Sequence, residues 1–339
     1  MPHPRLLRAT AALAGLLGVT LLATGCGSEA ARSGAATSGS DGAGSAYPVS
    51  VRNCGATVTF DAEPERVVLL KSSAVPYLHG LGVLDRVTAR AGSYPRDYYD
   101  AATQSELDAI PLLTDKLDTS GHLQISKETV LGQRPDLVLG EVDNLSRSSL
   151  SAVGLPLIEE PALCASGGGT PSFASIEVQY RLYGAVFDAQ DRAESAIAAM
   201  RTRLEKVKAA VGTGTGRTAA VLYPTVGGGT TYAYGTASMA DPQLRAAGLV
   251  NVFGDVKERV FEVTVEELLG RDPDVLILLH SDGDAADVTK ALTSVPGAAK
   301  LTAVRNGDVM TQLFNFTEPP TPLAVDGLQR IVERFGTTS

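Results

Sequence analysis

The sequence predicts an α/β protein of two Rossmann-like lobes joined by a single long inter-lobe helix. Three observations point there. Apolar runs of strand length alternate with helical segments in each half, the rhythm of βαβ units around parallel sheets. A nine-residue pattern, E-x-x-L-G-x-x-P-D, precedes an apolar strand in both halves: Glu128-Thr-Val-Leu-Gly-Gln-Arg-Pro135-Asp136 and Glu266-Glu-Leu-Leu-Gly-Arg-Asp-Pro273-Asp274. Between them, Ser172 to about Val211 holds no proline and a single glycine.

Composition sets the limits. With 339 residues, 44% hydrophobic and 20% charged, the chain can bury a sizeable core in two domains and is not wholly disordered. Its 35 glycines and three cysteines fit neither collagen nor a disulfide-dense scaffold. A formal charge of −9 disfavours a protein that tracks nucleic-acid phosphates, and four histidines leave little for a histidine-rich metal cage.

Residues 1–25 carry Arg5 and Arg8 and then the apolar run Ala9 to Ala23, a secretory signal by length and flanks. It ends in Leu22-Ala23-Thr24-Gly25-Cys26, which resembles the lipobox of bacterial lipoproteins and makes Cys26 the expected lipidation site; the alternative is cleavage near Gly25 with a free thiol. Two acyl chains would hold the protein at a membrane surface. Cleavage removes two arginines and no acid, so the mature chain is more acidic still. Residues 26–47 then read as the lipidated cysteine and a flexible tether of small and polar types. With Cys26 acylated, Cys54 and Cys164 remain as an even pair in an oxidising compartment, and a disulfide between them is expected; two separate buried thiols are the alternative.

The N-terminal lobe is assigned to 48–171. Val58 to Phe60 is β-like, Val67 to Leu70 a buried strand ending at Lys71-Ser72-Ser73, and Ala74 to Leu84 a helix by its spacing. A strand at Val87 to Ala89, an aromatic loop from Gly92 to Asp100, a helix at Ser126 to Gly132, a strand at Leu137 to Leu139, a helix at Arg147 to Val153 and a strand at Pro156 to Ile158 complete it. Ser172 is a plausible N-cap, and Ile197, Met200, Leu204, Val207 and Val211 recur at helical spacing, so 172–211 is read as one linking helix of roughly 60 Å. The C-terminal lobe, 212–339, restarts with strands at Thr218 to Tyr223 and Thr231 to Tyr234 around a glycine-rich loop at Gly227 to Gly229. A helix near Pro242 to Ala247, a partly helical Val263 to Leu269, a buried strand at Val275 to Leu279 and a terminal helix from Pro322 to about Phe335 follow.

These features together resemble the substrate-binding lipoproteins of bacterial ABC importers for ferric siderophores and vitamin B12. The resemblance covers nearly all of 48–337. It is carried by the lipobox, Asn53-Cys54-Gly55, Pro64-Glu65-Arg66-Val67-Val68, Leu81-Gly82-Val83-Leu84-Asp85-Arg86-Val87, the paired Pro-Asp motifs, the long helix, and Ala247-Gly248-Leu249-Val250-Asn251-Val252-Phe253. It implies the class III periplasmic-binding-protein fold, a monomer that captures a ferric siderophore or similar iron complex between its lobes, and delivery to a membrane permease with its ATPase. It also implies one surface glutamate per lobe docking on permease arginines, which nominates Glu128 and Glu266, with Glu267 the competitor. No resident cofactor is expected, and iron enters only inside a chelated ligand. A corrinoid, haem or other large cofactor would suit the same scaffold.

Loops after the strand C-termini should line the cleft. The first lobe offers Lys71, Ser72, Ser73, Tyr94, Arg96, Tyr98, Tyr99 and the loop Glu141 to Asn144. From the second come Tyr223, the Gly227 to Gly229 backbone, Tyr232, Tyr234, Met239, His280, Phe314 and Phe316. Rings suit planar or chelate surfaces, and Lys71, Arg90, Arg96 and Arg259 are the candidates for capturing an anion locally. His79, His122 and His280 fall in unrelated segments, so no bare-metal site is expected. The rival from another class is an exported lipoprotein hydrolase. It would draw on His280-Ser281-Asp282, but no Gly-x-Ser-x-Gly elbow is present.

Overall fold

The structure, a computed structural model, describes residues 47–118, 122–164, 169–281 and 283–336. The expected signal segment, the expected lipidation site Cys26 and most of the expected tether lie outside them. The described part begins with an antiparallel hairpin, β1 (Val49–Asn53) and β2 (Ala56–Phe60). Its tight turn puts Cys54 and Gly55 at positive φ, and Cys54 is bonded to Cys164 with the Cα atoms 5.3 Å apart. The expected disulfide therefore ties the hairpin turn to the segment after the last strand of the first lobe.

That lobe is a parallel sheet in the order β4-β3-β5-β6, made of β3 (Val67–Leu69), β4 (Val87–Arg90), β5 (Leu137–Leu139) and β6 (Leu157–Ile158). β3 and β5 are apolar throughout because both faces are covered. Val67 and Leu69 join one core with α1 (Val75–Leu81), while Val68 joins another with α3 (Lys127–Gly132) and α4 (Arg147–Ser151). α2 (Ala101–Asp108) follows the aromatic loop, capped by Asp100, whose carboxylate accepts the Thr103 N–H.

The second lobe has β7 (Thr218–Pro224), β8 (Thr231–Tyr234), β9 (Val250–Asn251), β10 (Val260–Val263), β11 (Val275–His280) and β12 (Val309–Leu313), with the path β10-β8-β7-β11-β12 and β9 beside β7. Helices α7 (Ala240–Ala246), α8 (Val265–Arg271), α9 (Ala285–Thr293), α10 (Thr302–Asn306) and α11 (Leu323–Phe335) surround it. The parallel part, β9-β7-β11-β12, repeats the first lobe's order.

The repeated motif has a physical basis in this duplication. Glu128 and Glu266 each stand two residues after a side-chain N-cap, Ser126 or Thr264, in the first turn of α3 or α8. The Asp of each Pro-Asp then clamps the start of the central strand. Asp136 accepts the Glu65 and Arg66 N–H groups at 2.8 and 2.9 Å, and Asp274 accepts the Thr218 N–H and hydroxyl, both at 2.8 Å.

The linking segment departs from the single helix expected over 172–211. It folds as α5 (Phe173–Val186) and α6 (Gln190–Val211), broken at Phe187 to Ala189, where Asp188 takes a left-handed conformation. The two run back along each other, with Arg181 on Glu194 at 2.6 Å and Arg201 on Glu177 at 2.5 Å. Close approach is possible because residue 184 is glycine: a Cβ there would meet the Ala193 Cβ at 2.8 Å. The bridging element is α6 alone, about 33 Å long at 1.5 Å per residue. Its apolar stripe, Ile197 to Val207, shares one core with α1 of the first lobe and α11 of the second.

Candidate functional site

The C-terminal ends of β3, β4, β5 and β6 and those of β11 and β12 face each other across a cavity of about 400 Å³. That is the position in which open α/β sheets bind ligands. The first lobe supplies Lys71, Ser72, Ser73, the Gly92 to Pro95 turn, Tyr98 and the Glu141 to Asp143 loop, and the second supplies Ser281, Phe314, Asn315 and Pro319. Asn315 joins the lobes on its floor. Its N–H donates to the Tyr98 hydroxyl at 2.9 Å and its side-chain amide to Ser72 Oγ at 3.0 Å. Nearby, the Tyr77 hydroxyl donates to the Pro320 carbonyl at 2.8 Å.

Of the residues nominated from the sequence, Lys71, Ser72, Ser73, Tyr98, Glu141, Asp143 and Phe314 lie on this wall. Tyr223 stands behind it, donating to Ser281 Oγ at 3.1 Å with its ring edge-on to Phe314. Tyr94 supports the turn from behind. Its hydroxyl donates to the Ala91 carbonyl at 3.1 Å, and its ring packs under the Arg90 guanidinium.

The remaining nominations fall elsewhere. Tyr99, Tyr234, Met239 and Phe316 are core residues, because strand and helix packing takes up side chains that proximity in sequence assigned to the cleft. Arg96 turns outward to Asp108 and Gln104, lining a neighbouring groove with the nearly buried His280. Tyr232 is on the exposed face of β8, and the Gly227 to Gly229 tip is not part of the wall. The wall also holds Asn315 and Pro319, which no sequence signal marks, and Ser281 and His122, which the sequence does not assign to the cleft. Asn315 sits between two phenylalanines, and the turn after β12 brings it to the cavity with Phe314 while burying Phe316.

The cations proposed for anion capture are spent. Lys71 Nζ lies 2.5 Å from the fully buried Glu159 carboxylate, which also accepts the Glu141 and Glu160 N–H groups at 2.7 Å. Arg90 Nε donates to the Ile110 carbonyl. Arg259 pairs at 2.7 Å with Glu318, a buried carboxylate that also accepts the Met239 N–H. Burial pushes the Glu318 carboxyl up, and Arg259 and that N–H pull it back. Desolvation likewise raises the Tyr98 phenol far above its usual range, so it meets a ligand as a neutral donor or acceptor.

His122 is not the isolated surface residue its sequence context suggests. Its Nδ1 lies 2.9 Å from Asp143 and 4.0 Å from Asp118, and the three groups are close enough together to share a metal ion. For the rival hydrolase, Ser281 is taken by Tyr223, and Asp282 lies outside the described residues.

Glu128 and Glu266 are exposed at matching places on the two lobes, whereas Glu267 is engaged by Arg271 at 3.6 Å. Among the described residues no helix is long and apolar enough to cross a membrane.

Two echoed α/β lobes, one bridging helix and a cavity walled from both sides define a protein that holds a small ligand between its lobes. Residues 67–312 match the family described as periplasmic binding protein, and the chain belongs to that family. Its members are extracytoplasmic binding proteins of transport systems rather than enzymes. The chain is 54% identical to a solved ABC-type Fe3+-hydroxamate transport protein of Saccharomonospora viridis, with a TM-score of 0.82 over 86% of this chain and all of that one. A cobalamin-binding protein of Halobacterium salinarum is 27% identical over 86% of this chain and 75% of its own length. A vitamin B12-binding protein of Vibrio cholerae shares the fold, with a TM-score of 0.59 at 16% identity over 80% of this chain and 96% of that one.

Proposed function

We propose that the protein is the extracytoplasmic substrate-binding component of an ABC importer. It captures a ferric siderophore with hydroxamate donors between its lobes and delivers it to a membrane permease driven by an ATPase. The observation that carries the reading is the interlobe cavity, walled by strand C-termini of both lobes, in a chain 54% identical to a Fe3+-hydroxamate transport protein. In this reading Cys26 carries the lipid that holds a monomer on the outer face of the membrane, and Glu128 and Glu266 dock the two lobes on permease arginines. Matching exposed carboxylates on duplicated lobes fix the register of such a complex, and each Arg pair strengthens as the interface dries.

Calorimetric titration with ferric hydroxamates, and with a corrinoid and haem as alternatives, tests the ligand. Saturable binding of the hydroxamate complex is expected, and binding of the corrinoid alone would transfer the assignment to the cobalamin class of the Halobacterium relative. For docking, Glu128→Ala with Glu266→Ala should abolish uptake while leaving ligand affinity intact. Unchanged uptake would remove these residues from the interface.

A further inference from the structure

We infer that the cavity selects its cargo by charge, favouring a ferric complex that carries a free ammonium group and turning away ferric complexes of high negative charge. The inference rests on the hydroxamate reading above and adds the charge class of the ligand.

The wall carries four ionisable side chains besides tyrosine: Lys71, His122, Glu141 and Asp143. Lys71 is neutralised from behind by Glu159, whose side chain has no exposure to solvent. No arginine of the described residues lines the cavity. Arg147, beside Glu141 in the fold, turns its guanidinium to the Leu157 carbonyl and Asn53 Oδ1 behind the wall. Asp143 lies 2.9 Å from the His122 imidazole, with Asp118 close by. Two carboxylates, Glu141, whose Oε1 accepts the Arg147 N–H at 3.3 Å, and Asp143, 2.9 Å from His122 Nδ1, therefore line the first-lobe wall without a lysine or arginine ion pair among the described residues, and the chain as a whole is acidic at −9.

Ligand chemistry sorts itself against this field. Three hydroxamates, each giving up one proton, balance ferric iron to a neutral complex, whereas three catecholates, each giving up two, leave a charge of about −3 that needs clustered Arg or Lys to repay its desolvation. Facing Glu141 and Asp143, such an anion meets repulsion in a partly dry cavity, which discriminates as effectively as an added attraction. A linear tris-hydroxamate with one terminal ammonium places its chelate against Phe314 and Tyr98 and its cation toward Asp143 and Glu141.

The test is calorimetry on the purified protein with three ferric complexes: a linear tris-hydroxamate bearing a terminal ammonium, the same molecule with that amine acetylated, and a tris-catecholate. The ammonium form should bind about five- to tenfold more tightly than the acetylated one, a preference that shrinks with added salt, and the catecholate should be weaker by at least about a hundredfold. The ratio between the two hydroxamates should fall toward one in Asp143→Asn with Glu141→Gln and persist in Glu205→Gln, a carboxylate on the outer face of α6. Equal binding of both hydroxamates, catecholate binding as tight as either, or an unchanged ratio in the double variant overturns the inference. If neither hydroxamate binds, the proposed function itself has failed.

Discussion

Replacing Glu160 by glutamine removes a carboxyl that the fold buries at a cost. Its side chain is almost wholly enclosed; one oxygen accepts the Tyr183 hydroxyl at 3.2 Å and the other has no partner among the described residues. Desolvation, and then the charge on Glu159, push its carboxyl well above the ordinary 4.5. Lys71 and two backbone N–H groups converge on Glu159, whereas Glu160 Oε2 meets no donor among the described residues, so the extra proton resides on Glu160. A folded-state pKa above the unfolded one means that the folded protein holds a proton which the unfolded chain releases above pH 4.5. Stability present in acid is then lost as pH rises, by about 1.4 kcal/mol per pH unit until the folded pKa is reached. Glutamine does not titrate and retains an acceptor for Tyr183, so Glu160→Gln should gain on the parent by up to about 1.4 kcal/mol for each pH unit above 4.5 over which the folded carboxyl keeps its proton. Urea unfolding followed by tyrosine fluorescence from pH 5 to 8 measures it, provided the m-values match. A difference in midpoint that stays constant across this range would refute the assignment of the proton to Glu160.

Three further perturbations probe the same architecture. Lys71→Met leaves the enclosed Glu159 carboxylate without its cation and should cost about 3 to 5 kcal/mol in unfolding experiments at pH 7; a loss near zero would mean that the backbone donors suffice. Cys54→Ser with Cys164→Ser opens a loop of 110 residues and should lower stability by about 4 to 5 kcal/mol without changing the far-ultraviolet dichroism of the folded protein. In Gly327→Ala the new Cβ would lie 1.8 Å from the Phe316 carbonyl oxygen. Because α11 must retreat or the Phe314 to Phe316 turn must shift, a stability loss of about 3 kcal/mol should accompany weaker ligand binding, read by thermal unfolding and calorimetry.

Much of the molecule is legible in its one-dimensional pattern. Strands β3, β5, β7 and β11 declare themselves as apolar runs because sheets covered on both faces need nothing else. The repeated E-x-x-L-G-x-x-P-D follows from one local requirement met twice, a capped helix leading to an Asp that clamps the neighbouring strand. β1, α2, α9 and β12 carry weaker patterns that local periodicity does not separate from loops. The break in the linking helix was also hidden, because Asp188 is an ordinary residue in sequence and becomes a turn only where Gly184 lets α5 and α6 close on each other.

The cleft divides along the same line. Strand ends name the loops that reach it, so Lys71, Ser72, Ser73, Glu141 and Phe314 could be found by position. Which of two neighbours points inward was decided by packing, which buried Tyr99, Tyr234, Met239 and Phe316 and brought Asn315 to the floor. Charge was decided there too. The sequence by itself determined two duplicated α/β lobes and an acidic chain, both properties of local pattern and composition. Only the tertiary structure settled that Lys71 and Arg259 are consumed by buried glutamates while Asp143 and Glu141 stay open to the cavity, because pairing depends on distances that no linear spacing encodes.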